Sequence, residues 1–209
     1  MFVLAKKHKD FPIYRGPEVF LFSISSNIPV LMLSAFFGPA SAGFYAIGRT
    51  VLRVPSRLIG EAVGNVFYPR IAEASNKGEN LTQLIKRATF VLGVVGIIPY
   101  GLIILFGPFL FGLVFGSDWS VAGEYARWIA LGSFFLFMNR PSVRALPVLK
   151  AQRFHLFYTI ITLVIRTCAL AIGFFVFKSD FIAVALFGLS DAIINIFLIS
   201  ITLRISQKA

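Results

Sequence analysis

No charged residue falls between Arg87 and Asp118, and none between Glu18 and Arg49. About 20 uncharged, mostly apolar residues suffice to cross the hydrocarbon of a bilayer. In lipid every backbone N–H and C=O must be satisfied within the spanning structure, which leaves helices and closed barrels. Strand-like alternation of period two is absent, which argues against a barrel. Composition agrees. Of 209 residues, 57% are hydrophobic and 14% charged, with 24 Phe, against about 45–50% and about 25% in an average soluble domain. A soluble protein of this size keeps roughly a third of its chain surface wet and could not hide so much apolar area.

These runs predict an all-α membrane protein with six transmembrane helices at about 18–37, 41–69, 88–112, 121–146, 154–177 and 181–203. Gly38, Pro39 and Gly43 interrupt the first long run where a turn belongs, and the last helix holds one charge, Asp191. Residues 1–17 read as a cytoplasmic N-terminal segment and 204–209 as a cytoplasmic tail. Residues 70–87 read as a cytoplasmic interfacial segment, with a short amphipathic helix after the Lys77-Gly78 break. Only Phe2 to Ala5 are apolar before Lys6, Lys7 and Lys9, short of the about 7–15 residues a secretory signal needs. No internal repeat is visible, and the connections leave no room for an independent catalytic domain.

The net charge of +11 would suggest nucleic acid in a soluble domain. Its distribution points elsewhere. Lys6, Lys7, Lys9 and Arg15 precede the first helix; Arg70, Lys77, Lys86 and Arg87 follow the second. Lys150 and Arg153 follow the fourth, and Arg204 and Lys208 the sixth, while the alternate connections hold only Lys178 against Asp118 and Asp180. By the positive-inside rule both termini are cytoplasmic, and the charge needs no nucleic-acid partner.

Some charges stand where hydrocarbon is expected. Arg49, Arg53, Arg57 and Glu61 recur every four residues on the second helix, a spacing that keeps them on one face with a drift of about 40° per step. Counted from Ser41, Arg53 lies roughly 18 Å deep, near the midplane. A lipid-facing arginine there costs about 2.5–3.5 kcal/mol, so the file is expected to face a cavity or bundle interior. Snorkelling to the headgroups is the alternative; it suits Arg57, paired with Glu61, better than Arg53. Arg140 and Arg144 either snorkel or extend the same cationic mouth.

Arg166 and Asp191 fall at matched depth on neighbouring antiparallel helices. They are read as a structural ion pair, with the alternative that Asp191 or Glu61 titrates during a transport cycle and couples an ion. Asn27, Asn65, Asn139 and Asn195 are intramembrane and read first as interhelical glue. Pro29, Pro55, Pro99, Pro108 and Pro141 lie within spans, as membrane helices permit.

His8 and His155 lack partners at metal-ligand spacing, so no metal is expected. No phosphate-cradling loop, nucleophile elbow or serine triad is present, and the chain reads as a non-enzyme without a cofactor. The single cysteine, Cys168, excludes an internal disulfide.

Several stretches carry a family resemblance: Asp10-Phe11-Pro12, Asn27-Ile28-Pro29-Val30-Leu31, and Phe36-Phe37-Gly38-Pro39-Ala40-Ser41-Ala42-Gly43-Phe44-Tyr45. Val54-Pro55, Val66-Phe67-Tyr68-Pro69-Arg70, and Phe115-Gly116 followed by Trp119, Ala122-Gly123 and Tyr125 continue it. In order and spacing the chain resembles polysaccharide biosynthesis proteins of the Wzx type. These are flippases of the multidrug/oligosaccharidyl-lipid/polysaccharide exporter superfamily. The resemblance implies one lobe, the C-terminal six-helix half, of a transporter with about twelve helices in two lobes that rock about a central cavity. It implies movement of an undecaprenyl-pyrophosphate-linked oligosaccharide across the bacterial inner membrane without ATP hydrolysis, together with a second lobe. Arg49, Arg53, Arg57, Arg140 and Arg144 would then meet the anionic cargo, because guanidinium groups bind phosphate through a planar fork. A drug or cation antiporter of the same superfamily would want an acidic cavity. A membrane-embedded polymerase or ligase would want a large outer loop, and a scaffold would have no use for midplane arginines.

Overall fold

The computed structural model describes residues 16–207, with Glu61 and Ala62 described by their backbone alone. The expected segment 1–17 lies outside the described residues except for Gly16 and Pro17, as do Lys208 and Ala209 of the tail. The described residues are helical with no strand. The helices are α1 (Gly16–Phe37), α2 (Pro39–Asn76), α3 (Leu81–Phe115), α4 (Ser120–Met138), α5 (Arg140–Ala145), α6 (Gln152–Phe175) and α7 (Asp180–Ser206). A short 3-10 turn, Ser117–Trp119, joins α3 to α4.

α1, α3, α6 and α7 are long and apolar enough to cross a membrane. Their outward faces carry large apolar side chains such as Leu31, Phe90, Ile98, Phe109, Phe175 and Ile193, each about two-thirds exposed. Water does not tolerate a continuous apolar surface of this kind in a monomer. The chain is an all-α membrane protein.

The boundaries follow local chemistry. Gly38 adopts φ 93° between α1 and α2, a region closed to most residues, and Pro39 supplies the preset first-turn angle of α2. α2 runs on through Pro69 to Asn76, seven residues beyond the expected end at residue 69. No separate interfacial helix forms in 70–87. Instead α3 starts at Leu81 and continues without a break into its apolar span. Leu81 and Ile85, one turn apart, are buried against Phe67, Ile71 and Ala74 of α2 and Ala145 of α5, and that burial fixes both helix ends. The expected helix 121–146 is two helices. Pro141 has no N–H for the Phe137 carbonyl, so α4 ends at Met138 and α5 restarts with proline in its first turn.

α4 is the hub, packed on α3, α7 and α2. Small residues allow the approach. A Cβ on Gly107 of α3 would stand 2.6 Å from the Gly123 carbonyl oxygen of α4. A Cβ on Gly132 would stand 2.7 Å from Asp191 Cβ of α7. Where lipid supplies no hydrophobic drive between helices, such close packing holds them together. At the far end of α1 and α6, Phe36 stacks on Phe174 with centroids 4.2 Å apart.

Arg127 of α4 answers a defect in α3. Pro108 leaves the Ile104 carbonyl, four residues back, without its helical donor. Arg127 Nε donates to that oxygen at 2.8 Å while its Nη1 pairs with Glu124 at 3.3 Å. Replacing Arg127 with Met should therefore cost about 1–3 kcal/mol, and much less in a Pro108→Ala background, where the helix regains its own donor. Thermal unfolding of both variants and the double mutant in detergent measures the coupling.

At the turn between α2 and α3, Arg70 Nη2 donates to Glu79 Oε2 at 2.6 Å. That hydrogen bond holds the Glu79 carboxyl below the usual carboxylate range. The contribution is thus full above the ordinary value, about pH 4.3, and is lost as pH falls through the lower folded value. Glu79→Gln should speed amide exchange at Gly78 and Glu79 near neutral pH and change nothing in strong acid.

Candidate functional site

A cavity of about 390 Å³ opens between α2 and α4, with α7 and the middle of α6 behind it. The four-residue spacing on α2 places Arg49, Arg53 and Arg57 along it; Arg140 of α5, Arg166 of α6 and Asp191 of α7 complete its charged lining. Arg49 is half-buried, and Arg53 and Arg57 are exposed. Arg49 Nη1 reaches Asn27 Oδ1 of α1 at 3.5 Å. Among the described residues that line the cavity, Asp191 is the single carboxylate. The Glu61 side chain lies outside the described residues.

Arg140 is seated on α2 by a serine and a glycine. Its Nη2 donates to Ser56 Oγ at 3.0 Å. Its guanidinium lies against Gly60, where a Cβ would come within 2.7 Å of Arg140 Cζ. One turn on, Arg144 meets Gly64 in the same way, with Nε 3.5 Å from the position of a Cβ. Glycines four apart on α2 thus receive arginines four apart on α5. Arg144, however, is exposed and does not line the cavity.

Arg166 is 4% exposed and Asp191 8%. Arg166 Nε donates to Asp191 Oδ1 at 2.5 Å, and its Nη1 to Ser25 Oγ of α1 at 2.9 Å. Its Cζ lies 5.7 Å from the centroid of the Phe187 ring. Behind the pair, Asn195 Nδ2 donates to the Asp191 carbonyl at 2.8 Å, and Asn139 Nδ2 to Asn195 Oδ1 at 2.9 Å. Asn139 and Asn195 therefore bind helices to each other. Asn27 donates to its own helix, at the Ser23 carbonyl, while its Oδ1 accepts from Arg49 of α2; Asn65 is exposed.

Sequence reasoning did not find that Glu18 Oε1 of α1 lies 3.8 Å from His155 Nε2 of α6, both buried. Nor did it find the stripe His155, Thr159, Thr162 and Arg166, buried along one face of α6. A signal existed: steps of four, three and four give a polar helical face within an apolar span.

A crowd of guanidinium groups facing one carboxylate favours an anion. In a site shielded from water each charge-assisted bond is stronger and shorter than a neutral one. Removing either member of the Arg166–Asp191 pair strands a buried charge, at about 3–5 kcal/mol. Arg166→Asp and Asp191→Arg should each sharply lower the yield and melting temperature of folded protein in detergent. The double exchange should recover a substantial part of both, and absence of recovery would refute mutual support.

The model of the family described as polysaccharide biosynthesis protein matches residues 11–124. The succinoglycan biosynthesis transport protein ExoT of Rhizobium meliloti (strain 1021) is 28% identical over 145 residues, covering 65% of this chain and 26% of ExoT. The chain thus spans about a quarter of the length of that curated relative. No solved structure matches it. The family match covers more than half of the chain, from before α1 through the first turns of α4, and includes the whole arginine file of α2. The chain belongs to the polysaccharide biosynthesis protein family.

Proposed function

We propose that this chain forms one wall of a polysaccharide-export transporter, and that its cavity receives the anionic headgroup of a lipid-linked oligosaccharide. The observation that carries this reading is the convergence of Arg49, Arg53, Arg57, Arg140 and Arg166 on one cavity with a single described carboxylate. A diphosphate linker carries its charge on compact oxygens that guanidinium forks match in pairs. Cationic groups along the path lower the cost of bringing that charge into a low-dielectric space, while the lipid tail stays in the bilayer.

In this reading all six long helices cross the inner membrane. α2 and α4 span with their charges turned toward the cavity, toward Glu124 and toward the freed Ile104 carbonyl. Both termini are cytoplasmic, in keeping with the basic alternate connections. The six helices act as a lobe against a second lobe, and alternating access is a rocking of one on the other. The similarity to a succinoglycan biosynthesis transport protein, itself much longer than this chain, supports this assignment. The chain supplies binding and passage rather than covalent chemistry. Asp191 and Glu61 are the candidates for coupling to an ion. A cation or drug antiporter would require a cavity of the opposite sign.

Arg53→Ala, with the companion lobe present, should reduce export of the lipid-linked glycan by about tenfold or more, the worth of one charge-assisted hydrogen bond. Membrane insertion should not change. Arg144→Ala, outside the cavity lining, should export near the wild-type level. A complementation assay for surface polysaccharide, with the protein quantified in the membrane, checks both; full export by Arg53→Ala would overturn the role of the cavity.

A further inference from the structure

Beside the arginine cavity lies a second, smaller one of about 50 Å³, where α1, α6 and α7 meet the α4–α5 break. Arg166 lines both. The smaller cavity extends from Arg166 past Thr162, Thr159 and Tyr158 to His155, with Asn139 and Asn195 on its other wall. Glu18 stands behind His155. From His155 to Arg166 the stripe on α6 climbs about 16 Å.

The polar inventory of this cavity is incomplete. Asn139 Oδ1 is buried and has no hydrogen-bond partner, and the buried Thr162 hydroxyl has only the neighbouring Tyr158 hydroxyl. Asn139 is 1% exposed and Thr162 7%. An unpaired buried oxygen costs about 1–3 kcal/mol, and polar cavities above roughly 10–15 Å³ hold water that meets such groups. The other polar atoms are spoken for. Thr159 Oγ1 donates to the His155 carbonyl at 3.0 Å, and the Tyr158 hydroxyl donates to the Ile194 carbonyl. Water in the cavity would therefore bond to Thr162 and Asn139, midway between the Glu18–His155 pair and the Arg166–Asp191 pair.

We propose that this oxygen-lined cavity holds water and delivers a proton from the Glu18–His155 end of the seam to the Asp191 carboxylate. The proton comes from water at the end of the bundle where α1 and α6 begin. It passes His155 and the cavity water by exchange of hydrogen bonds, and ends on a carboxylate oxygen of Asp191. One O–H bond forms at Asp191, one is lost by the hydronium outside, and no other bond changes. The charged and titratable groups that face the route are Glu18 of α1, His155, Tyr158 and Arg166 of α6, and Asp191 of α7.

The inference deepens the anion-transport reading and rests on it at one point. A protonated Asp191 leaves Arg166 buried without its counter-charge, a costly state. An anion in the adjoining cavity supplies the missing charge, because Arg166 lines that cavity too. Proton and anion are each unfavourable alone and favourable together, so binding of either one raises the affinity for the other.

Two measurements test the relay. In membrane vesicles of known orientation, with the sole cysteine removed by Cys168→Ser, Thr162→Cys and Thr159→Cys are exposed to Ag⁺ and then counted by maleimide after denaturation. Both should react about tenfold faster than lipid-facing Val164→Cys, since a thiolate forms where water reaches. They should do so from the side where α1 and α6 begin. Rates no faster than Val164→Cys, or access from the opposite side alone, would overturn the proposal.

The second measurement follows the infrared carboxyl band of Asp191, assigned by its shift in Asp191→Glu, after a drop in pH in lipid nanodiscs. Thr162→Val should slow its appearance about tenfold for want of one hydrogen-bond link, and Thr162→Ser should restore it. Equal rates in Val and Ser variants would refute the relay. Inorganic pyrophosphate should make the band appear at higher pH. If pyrophosphate has no effect while the Thr162 dependence stands, the anionic cargo is refuted and the relay survives. Should Thr162→Val misfold, the Ag⁺ measurement decides.

Discussion

A guanidinium group within a helical membrane bundle must be given a counter-charge, an acceptor oxygen or water, and the arginines of this chain divide according to which they receive. Arg166 takes a carboxylate and a hydroxyl. Arg127 takes the backbone carbonyl that Pro108 sets free. Arg140 takes a hydroxyl and lies against a glycine. Arg49, Arg53 and Arg57 share a cavity. The first three solutions tie α6 to α7 and α1, α4 to α3, and α5 to α2, so the same requirement that makes these side chains expensive also orders the helices around them.

The arrangement separates two kinds of polar space. On one side of Arg166 is an open cavity where positive charge predominates. On the other is a narrow, largely uncharged seam of hydroxyls and amides that ends at Glu18 and His155. Arg166 and Asp191 stand at the junction, neutral as a pair and highly charged when parted. Small residues set how closely the helices bring these groups together. Gly132 lets α7 carry Asp191 against α4, and Gly60 lets α5 lay Arg140 on α2. A methyl group at either place would move a charge before it disturbed the apolar core.

Much of the helical plan was legible because hydrocarbon enforces length and apolarity. The Gly38-Pro39 turn, the charge-free stretch after Arg87 and the level match of Arg166 with Asp191 all follow from local pattern. The misreadings share one cause, which is that polarity was taken as a boundary. Residues 70–76 and 81–87 are polar, yet Ile71, Ala74, Leu81 and Ile85 pack together and carry both helices through the segment. Pro141 reads as one of the prolines that a span tolerates, but it removes the donor for the Phe137 carbonyl where α4 gives way to α5, and so divides the helix. Arg144 shares spacing with Arg140 and lies against Gly64 of α2, but one helical turn carries it past the end of the cavity lining.

By itself the sequence determined that this chain is helical, apolar on its outside and arginine-bearing along one face of α2. Periodicity and charge placement are properties of a single helix, and a single helix is enough to read them. The tertiary structure alone decided which oxygen each guanidinium meets, that Asn139 reaches Asn195, and that Glu18 and His155 close one end of a polar seam. Those pairings depend on helix rotation and on close approach at glycines. Both are set by how several faces pack at once, which no single stretch of residues encodes.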